Sequence, residues 1–89
     1  MEKLRTSMMA VALEEAIAAA ERGEVPVGAA LMGPDGALLA RDGNRVMELH
    51  DPTAHAEILV LRAASVLLGS ERLNGCSLYV TLEPCTMCA

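Results

Sequence analysis

The sequence predicts an α/β domain, a mixed sheet with helices packed on its faces. Three observations carry this expectation. Apolar residues recur at three-to-four spacing over residues 3–22 and again over 54–68, the period of a helix. A short apolar run at 27–32 and an alternating one at 76–82 have the length and period of strands. Turn-prone sequence rich in Gly, Pro and Asp punctuates the chain between them. The resulting order is α-β-β-α-β, with a further helix opened by Pro84 and no internal repeat.

In the first helix Met9, Leu13, Ala16, Ile17 and Ala20 form the expected buried stripe, while Glu14, Glu15 and Glu21 fall off it. Arg22 lies in its last turn, and Gly23 suits the left-handed position that ends a helix. Val27-Gly28-Ala29-Ala30-Leu31-Met32 is too short for a helix and reads as a buried strand. Gly33-Pro34-Asp35-Gly36 is a turn, because proline presets φ and Asp and Gly tolerate unusual dihedrals. A second strand over 37–41, or a little beyond, then pairs antiparallel with the first. Residues 43–51 read as a polar loop. In the second helix Ile58, Leu61, Ala64, Val66 and Leu68 are the apolar positions, with Asp51 or Thr53 as cap and Gly69 as stop. The loop 70–75 ends in Asn74-Gly75, and in the last strand Leu78, Val80 and Leu82 alternate against Tyr79 and Thr81.

A chain of 89 residues is one domain at most, and at that length it buries roughly 60–65% of its unfolded surface. Its core is almost free of aromatics, since Tyr79 is the only one. Small side chains contribute little area each, which leaves a role for a metal, a partner subunit or further chain. Three strands in an open sheet also leave an edge and a face uncovered, so the domain reads as unfinished at Ala89. The net charge of −5 and seven scattered Lys and Arg argue against a general nucleic-acid binder, which clusters cations against phosphates. No segment approaches the roughly 18 apolar residues of a membrane helix. The start of the chain has faint signal-peptide character that Glu14-Glu15 cuts short, so the cytoplasm is the expected compartment. Three cysteines, two of them in a C-x-x-C, suit a metal better than a disulfide framework.

The chemistry gathers at two helix openings. Cys85 and Cys88 are three residues apart, so on a helix they share one face and can grip one ion. Pro84 is well suited to start that helix, whose positive end favours thiolates. His55 occupies the matching place at the opening of the second helix. Together they make a three-ligand N,S,S site, and zinc held by three protein ligands keeps a position for water. Glu57 supplies a base beside that water. Because i and i+2 point about 200° apart on a regular helix, His55 must lie where the helix is only beginning. Cys76 reads as a small buried apolar residue in preference to a fourth ligand. His50 reads as a loop residue, Glu83 as equally a support of the site or a structural group, and Asn44 by itself as equally a turn residue.

The spacing His-x-Glu followed by Pro-Cys-x-x-Cys is the signature of zinc nucleobase deaminases. Glu24-Val25-Pro26-Val27-Gly28-Ala29, Asp51-Pro52-Thr53-Ala54-His55-Ala56-Glu57-Ile58 and Leu78-Tyr79-Val80-Thr81-Leu82-Glu83-Pro84-Cys85-Thr86-Met87-Cys88-Ala89 resemble the cytidine deaminase superfamily, most of all its bacterial tRNA-specific adenosine deaminases. The resemblance runs from the first helix to the last residue. It implies a three-layer α/β/α fold and hydrolysis of adenosine to inosine at the wobble position of the tRNA anticodon arm. By the same resemblance zinc is held by His55, Cys85 and Cys88, and Glu57 passes a proton from water to the base and then to departing ammonia. Asn44 falls where the family hydrogen-bonds the base, and Val25 where it lines the pocket. The family pairs as a homodimer, with active sites near the subunit contact. It continues well past the second cysteine, so the C-terminal part of the domain is expected to be missing and the 89 residues alone to be weakly active or inactive.

Three other readings stay open on the residues. A deaminase of a free base or nucleotide, of the guanine or cytosine type, uses the same metal chemistry. A zinc-stabilised module without catalysis needs the ligands but not Glu57. A C-x-x-C thiol oxidoreductase lacks its usual setting near the start of a βαβ unit.

Overall fold

The computed structural model of the protein describes residues 2–70 and 72–81. Among these the chain runs helix α1 (Glu2–Glu21), strand β1 (Gly28–Met32), strand β2 (Leu38–Gly43), helix α2 (Val46–Leu49), helix α3 (Ala56–Leu68) and strand β3 (Ser77–Val80). The helix expected from Pro84 lies outside the described residues.

The strands form one sheet in the order β2-β1-β3. β1 pairs antiparallel with both neighbours, Gly28 opposite Gly43 on one side and Ala29 opposite Val80 on the other. The parallel pairing that a mixed sheet requires is therefore not among the described strands. α1 and α3 each pack against all three strands and not against each other, so they cover opposite faces. That is the expected three-layer arrangement.

β1 is the buried centre of the sheet, apolar along its whole length. Side chains alternate across a strand, so Ala29 and Leu31 face α3 while Gly28, Ala30 and Met32 face α1. On the α3 side Val27, Ala29 and Leu31 meet Ala56, Val60 and Ala64, with Leu39, Leu61, Leu73, Cys76 and Val80 closing around them. Cys76 is half-buried there, a small side chain at the edge of the core.

The α1 face corrects the expected stripe. Met8, Ala12, Ala16 and Ala19 are buried, whereas Leu13 and Ile17 are 52% and 61% exposed. The reason is steric. A Cβ at Gly28 would collide with the backbone oxygen of Ala12 and lie 2.5 Å from the nitrogen of Ala16. One at Gly43 would lie 2.5 Å from the oxygen of Glu15. The helix lies so close to bare backbone that only alanine-sized residues fit beneath most of it, and its larger apolar residues are turned away.

α3 shows the same displacement: Ala56, Val60 and Ala64 are buried, while Val66 and Leu68 are exposed. The expected helix stops are found, with Gly23 and Gly69 in left-handed backbone at φ 87° and 66°. The turn 33–36 is also as expected, closed by Gly33 N–H donating to Ala37 O at 2.8 Å. The supposed polar loop 43–51 instead contains α2, a single helical turn. No described helix is long and apolar enough to cross a membrane.

Candidate active site

The start of β1, the end of β2 and the end of β3 lie at one end of the sheet, because both pairings are antiparallel. Two backbone bonds and one to a side-chain hydroxyl tie the segments together there. Asn44 N–H donates to Val27 O at 3.0 Å, Thr81 N–H donates to Gly28 O at 3.0 Å, and Gly28 N–H donates to Thr81 Oγ1 at 3.0 Å. Thr81, the last described residue, is thus fixed beside Gly28 four positions before Cys85.

Asn44 is 2% exposed, and its side chain joins this end of the sheet to α3. Its Oδ1 accepts from Ala56 N–H at 2.8 Å, across the first residue of the helix. A backbone N–H only donates, so this contact fixes which end of the amide is oxygen and which is Nδ2. Asn44 therefore does the capping expected of Asp51 or Thr53. Asp51 is committed elsewhere: its Oδ1 accepts from Thr53 N–H at 2.9 Å and Thr53 Oγ1–H at 2.7 Å, and these bonds hold its carboxyl below the ordinary aspartate value. The result is a closed turn over 51–53 that delivers the chain to His55.

His55 is the residue before the first helical turn, extended at φ −79° and ψ 151°, with its carbonyl accepting from Leu59 N–H at 3.0 Å. This is the placement that the His-x-Glu spacing demands if both side chains are to serve one site. The imidazole is largely buried, with 8% of the residue exposed. Glu57 follows in the first turn, half-buried.

A cavity of about 380 Å³ opens against these groups, lined by Gly23, Glu24, Val25, Asn44, Val46, Met47, Pro52 and His55. It falls within the roughly 300–1,000 Å³ span of small-ligand pockets. The structure thus brings His55, Asn44 and Val25 to one wall system. Glu57 is not among the lining residues, and Cys85, Cys88 and Glu83 lie outside the described residues. His50 is exposed and ends α2 in left-handed backbone, φ 52°.

The sequence reading gave no role to Glu24, although it opens one of the quoted motifs. It is 6% exposed, and its carboxylate accepts from Met47 N–H at 3.0 Å and Glu48 N–H at 2.7 Å. Those two donors, Met47 first, hold its carboxyl below the ordinary glutamate value, helped by Arg22 and Arg45. Arg22 also donates through Nη2 to Asn44 O at 3.0 Å. Arg45 pairs with Asp42 and Glu48, each at 2.8 Å. Burial of a charged residue just after a helix end, in a chain otherwise short of buried charge, becomes visible only once α2 is seen.

The donor set suits zinc. A buried imidazole at a cavity wall and two cysteine sulfurs offer the borderline and soft ligands that zinc prefers. Among the described residues no three His, Cys, Asp or Glu side chains gather into a cation site.

Residues 2–89 match the model of the cytidine and deoxycytidylate deaminase zinc-binding region. The chain is 62% identical to the tRNA-specific adenosine deaminase of Agrobacterium fabrum over 96% of its own length and 55% of that protein's. A solved tRNA:A34 deaminase, from work on A-to-I editing at the wobble position, superposes with a TM-score of 0.88 at 62% identity, over 96% of this chain and 65% of that one. The guanine deaminase of Bacillus subtilis superposes with a TM-score of 0.84 at 38% identity, over 93% and 53%. The chain spans little more than half the length of the Agrobacterium relative. It belongs to the cytidine and deoxycytidylate deaminase family, as part of that family's zinc-binding region.

Proposed function

We propose that this protein is a zinc-dependent deaminase that converts adenosine to inosine at the wobble position of tRNA, adenosine and water giving inosine and ammonia. The observation that supports it best is the site itself: a buried imidazole and an oriented amide share the wall of a base-sized cavity in a family defined by zinc. The 62% identity to a tRNA-specific adenosine deaminase favours this substrate over free guanine, where identity is 38%. A homodimer in the cytoplasm completes the reading, since paired thiols persist where disulfides are rare.

His55, Cys85 and Cys88 would hold the zinc, which would supply the Lewis acidity that lets water react near neutral pH. Glu57, in the first turn after His55, takes the proton released as water adds to C6 of the base. It passes that proton to the ring nitrogen, then carries the second water proton, from the hydroxyl added at C6, to the amine as the C6–N bond breaks, leaving a carbonyl and ammonia. Asn44 binds the base: with Oδ1 committed to Ala56 N–H, its Nδ2 is the donor end offered to a base acceptor. Val25, in the loop after α1, lines the cavity and packs on the base. Shielding from bulk water comes from Val46, Met47 and Pro52. The target nucleotide must leave its stack to enter, which an unpaired anticodon loop makes cheap.

Incubation of the protein at its natural length with an anticodon stem-loop RNA tests the reading. Inosine formation at the wobble adenosine is expected, with no turnover of free guanine. Xanthine formation from guanine with untouched RNA would move the protein to the free-base reading, which its likeness to guanine deaminase keeps in view.

A further inference from the structure

We propose that Glu24 is the positioning residue of this pocket, its carboxylate holding the four-residue helix α2 as the wall against which the target base is seated. The inference rests on the deaminase reading above and deepens it.

The physical problem is α2. A helix of four residues has no stability of its own, because nucleating the first turn fixes more dihedrals than its hydrogen bonds repay. Its N-cap, Arg45, gives no side-chain bond to the backbone of the turn, only an exposed pair with the Glu48 carboxylate at 2.8 Å, and Val46–Leu49 has no buried residue to anchor it. Yet Val46 and Met47 form one side of the cavity. Asp51 N–H bonds to Val46 O at 3.1 Å, but the tie from the turn to the end of α1 runs through Glu24, which reaches from the loop after α1 to the N–H groups of Met47 and Glu48. The next residue along, Val25, lines the same cavity. One carboxylate therefore ties the loop that carries Val25 to the turn that carries Val46 and Met47. Arg22, at the same helix end, holds Asn44 O at 3.0 Å and approaches Glu48 at 3.6 Å, so the whole rim is referred to the end of α1.

Such a wall touches the base equally before and during reaction. Loosening it should weaken binding and leave the chemical step alone.

Glu24→Gln keeps the volume and one acceptor but turns an amide donor toward one of the two N–H groups. In the protein at its natural length, with the anticodon stem-loop RNA as substrate, KM should rise about tenfold and kcat change less than about twofold. Zinc content should stay at one equivalent. Amide hydrogen exchange at Met47 and Glu48 should quicken by about tenfold or more. An unchanged KM, or kcat and zinc falling together, overturns the proposal. The exchange measurement needs no turnover: if the wild type fails to deaminate RNA, the functional reading falls, and exchange alone then judges Glu24, unchanged rates overturning its role. Should Glu24→Gln not fold, Glu24→Asp carries the same readouts, with a carboxylate one methylene too short, and unchanged values again decide against it.

Discussion

Under α1 the sheet presents Gly28 and Gly43, and the helix answers with Ala12, Ala16 and Ala19; beside the cavity, Glu24, Asn44 and Asp51 instead reach backbone N–H groups with their side chains. The first region is held by shape, atoms in contact with little polar content. The second is held by directed hydrogen bonds, each replacing a partner that a short helix or a turn lacks. The contrast teaches where tolerance lies. A shape-fitted face accepts polar changes on its outer side but no added volume within. A hydrogen-bonded rim accepts small volume changes but not the loss of an acceptor, since an unpaired buried donor costs about 1–3 kcal/mol.

The largest expected effect touches neither framework. Glu57→Gln should lower turnover by about 10²–10⁴-fold while zinc stays bound, as single-turnover kinetics beside metal analysis will show. Turnover surviving within a factor of two removes Glu57 from the chemistry. Gly28→Ala comes next and probes the shape-fitted face. It should cost about 1–3 kcal/mol in denaturant unfolding, because the new methyl meets backbone on α1 that cannot rotate aside. Leu13→Ala on the outer side of the same helix should cost only about 0.5 kcal/mol. A reversed order would mean that α1 is rotated from the orientation described.

Asn44 sharpens the comparison from the other region. Asn44→Ala should cost about 0.5–2 kcal/mol through loss of the α3 cap. Asn44→Asp keeps an acceptor for Ala56 N–H and places a charge favourably at a helix start, so stability should be retained. It removes the Nδ2 donor, so KM should rise even so. Equal stability losses in the two variants would refute the cap.

The smallest effect is in pH. Glu24 and Asp51 both have folded-state values lowered from their ordinary 4.5 and 3.8. A lowered value means that their contribution is present in full above the ordinary value and is lost as pH falls below it through the folded one. Thermal melts below about pH 4.5 should therefore show a declining midpoint, with a shallower decline in Glu24→Gln. An identical slope in the variant would show that Glu24 gains nothing from its two N–H partners.

The fold was legible in the sequence wherever period and punctuation agree, as at 27–41 and at the Gly23 and Gly69 helix ends. Helix faces were not. Periodicity favours the largest apolar side chains, Leu13, Ile17 and Val66, whereas close packing on a glycine-bearing backbone selects alanine. At the site the backbone placement was legible: the two-residue spacing of His55 and Glu57 asks for His55 ahead of the helix, and it lies there. Asn44 was expected as a base contact by resemblance, while its role as a cap escaped, being a bond that spans twelve residues. Glu24 and α2 escaped altogether, since one turn of helix leaves no period and its support comes from a carboxylate more than twenty positions away.

The account turns on how the metal is held, and X-ray absorption at the zinc edge of the active protein reads this directly. One nitrogen, two sulfurs and one light exchangeable oxygen are predicted, with His55→Ala removing the nitrogen. A fourth protein atom around the zinc, or an edge showing no sulfur, would contradict it.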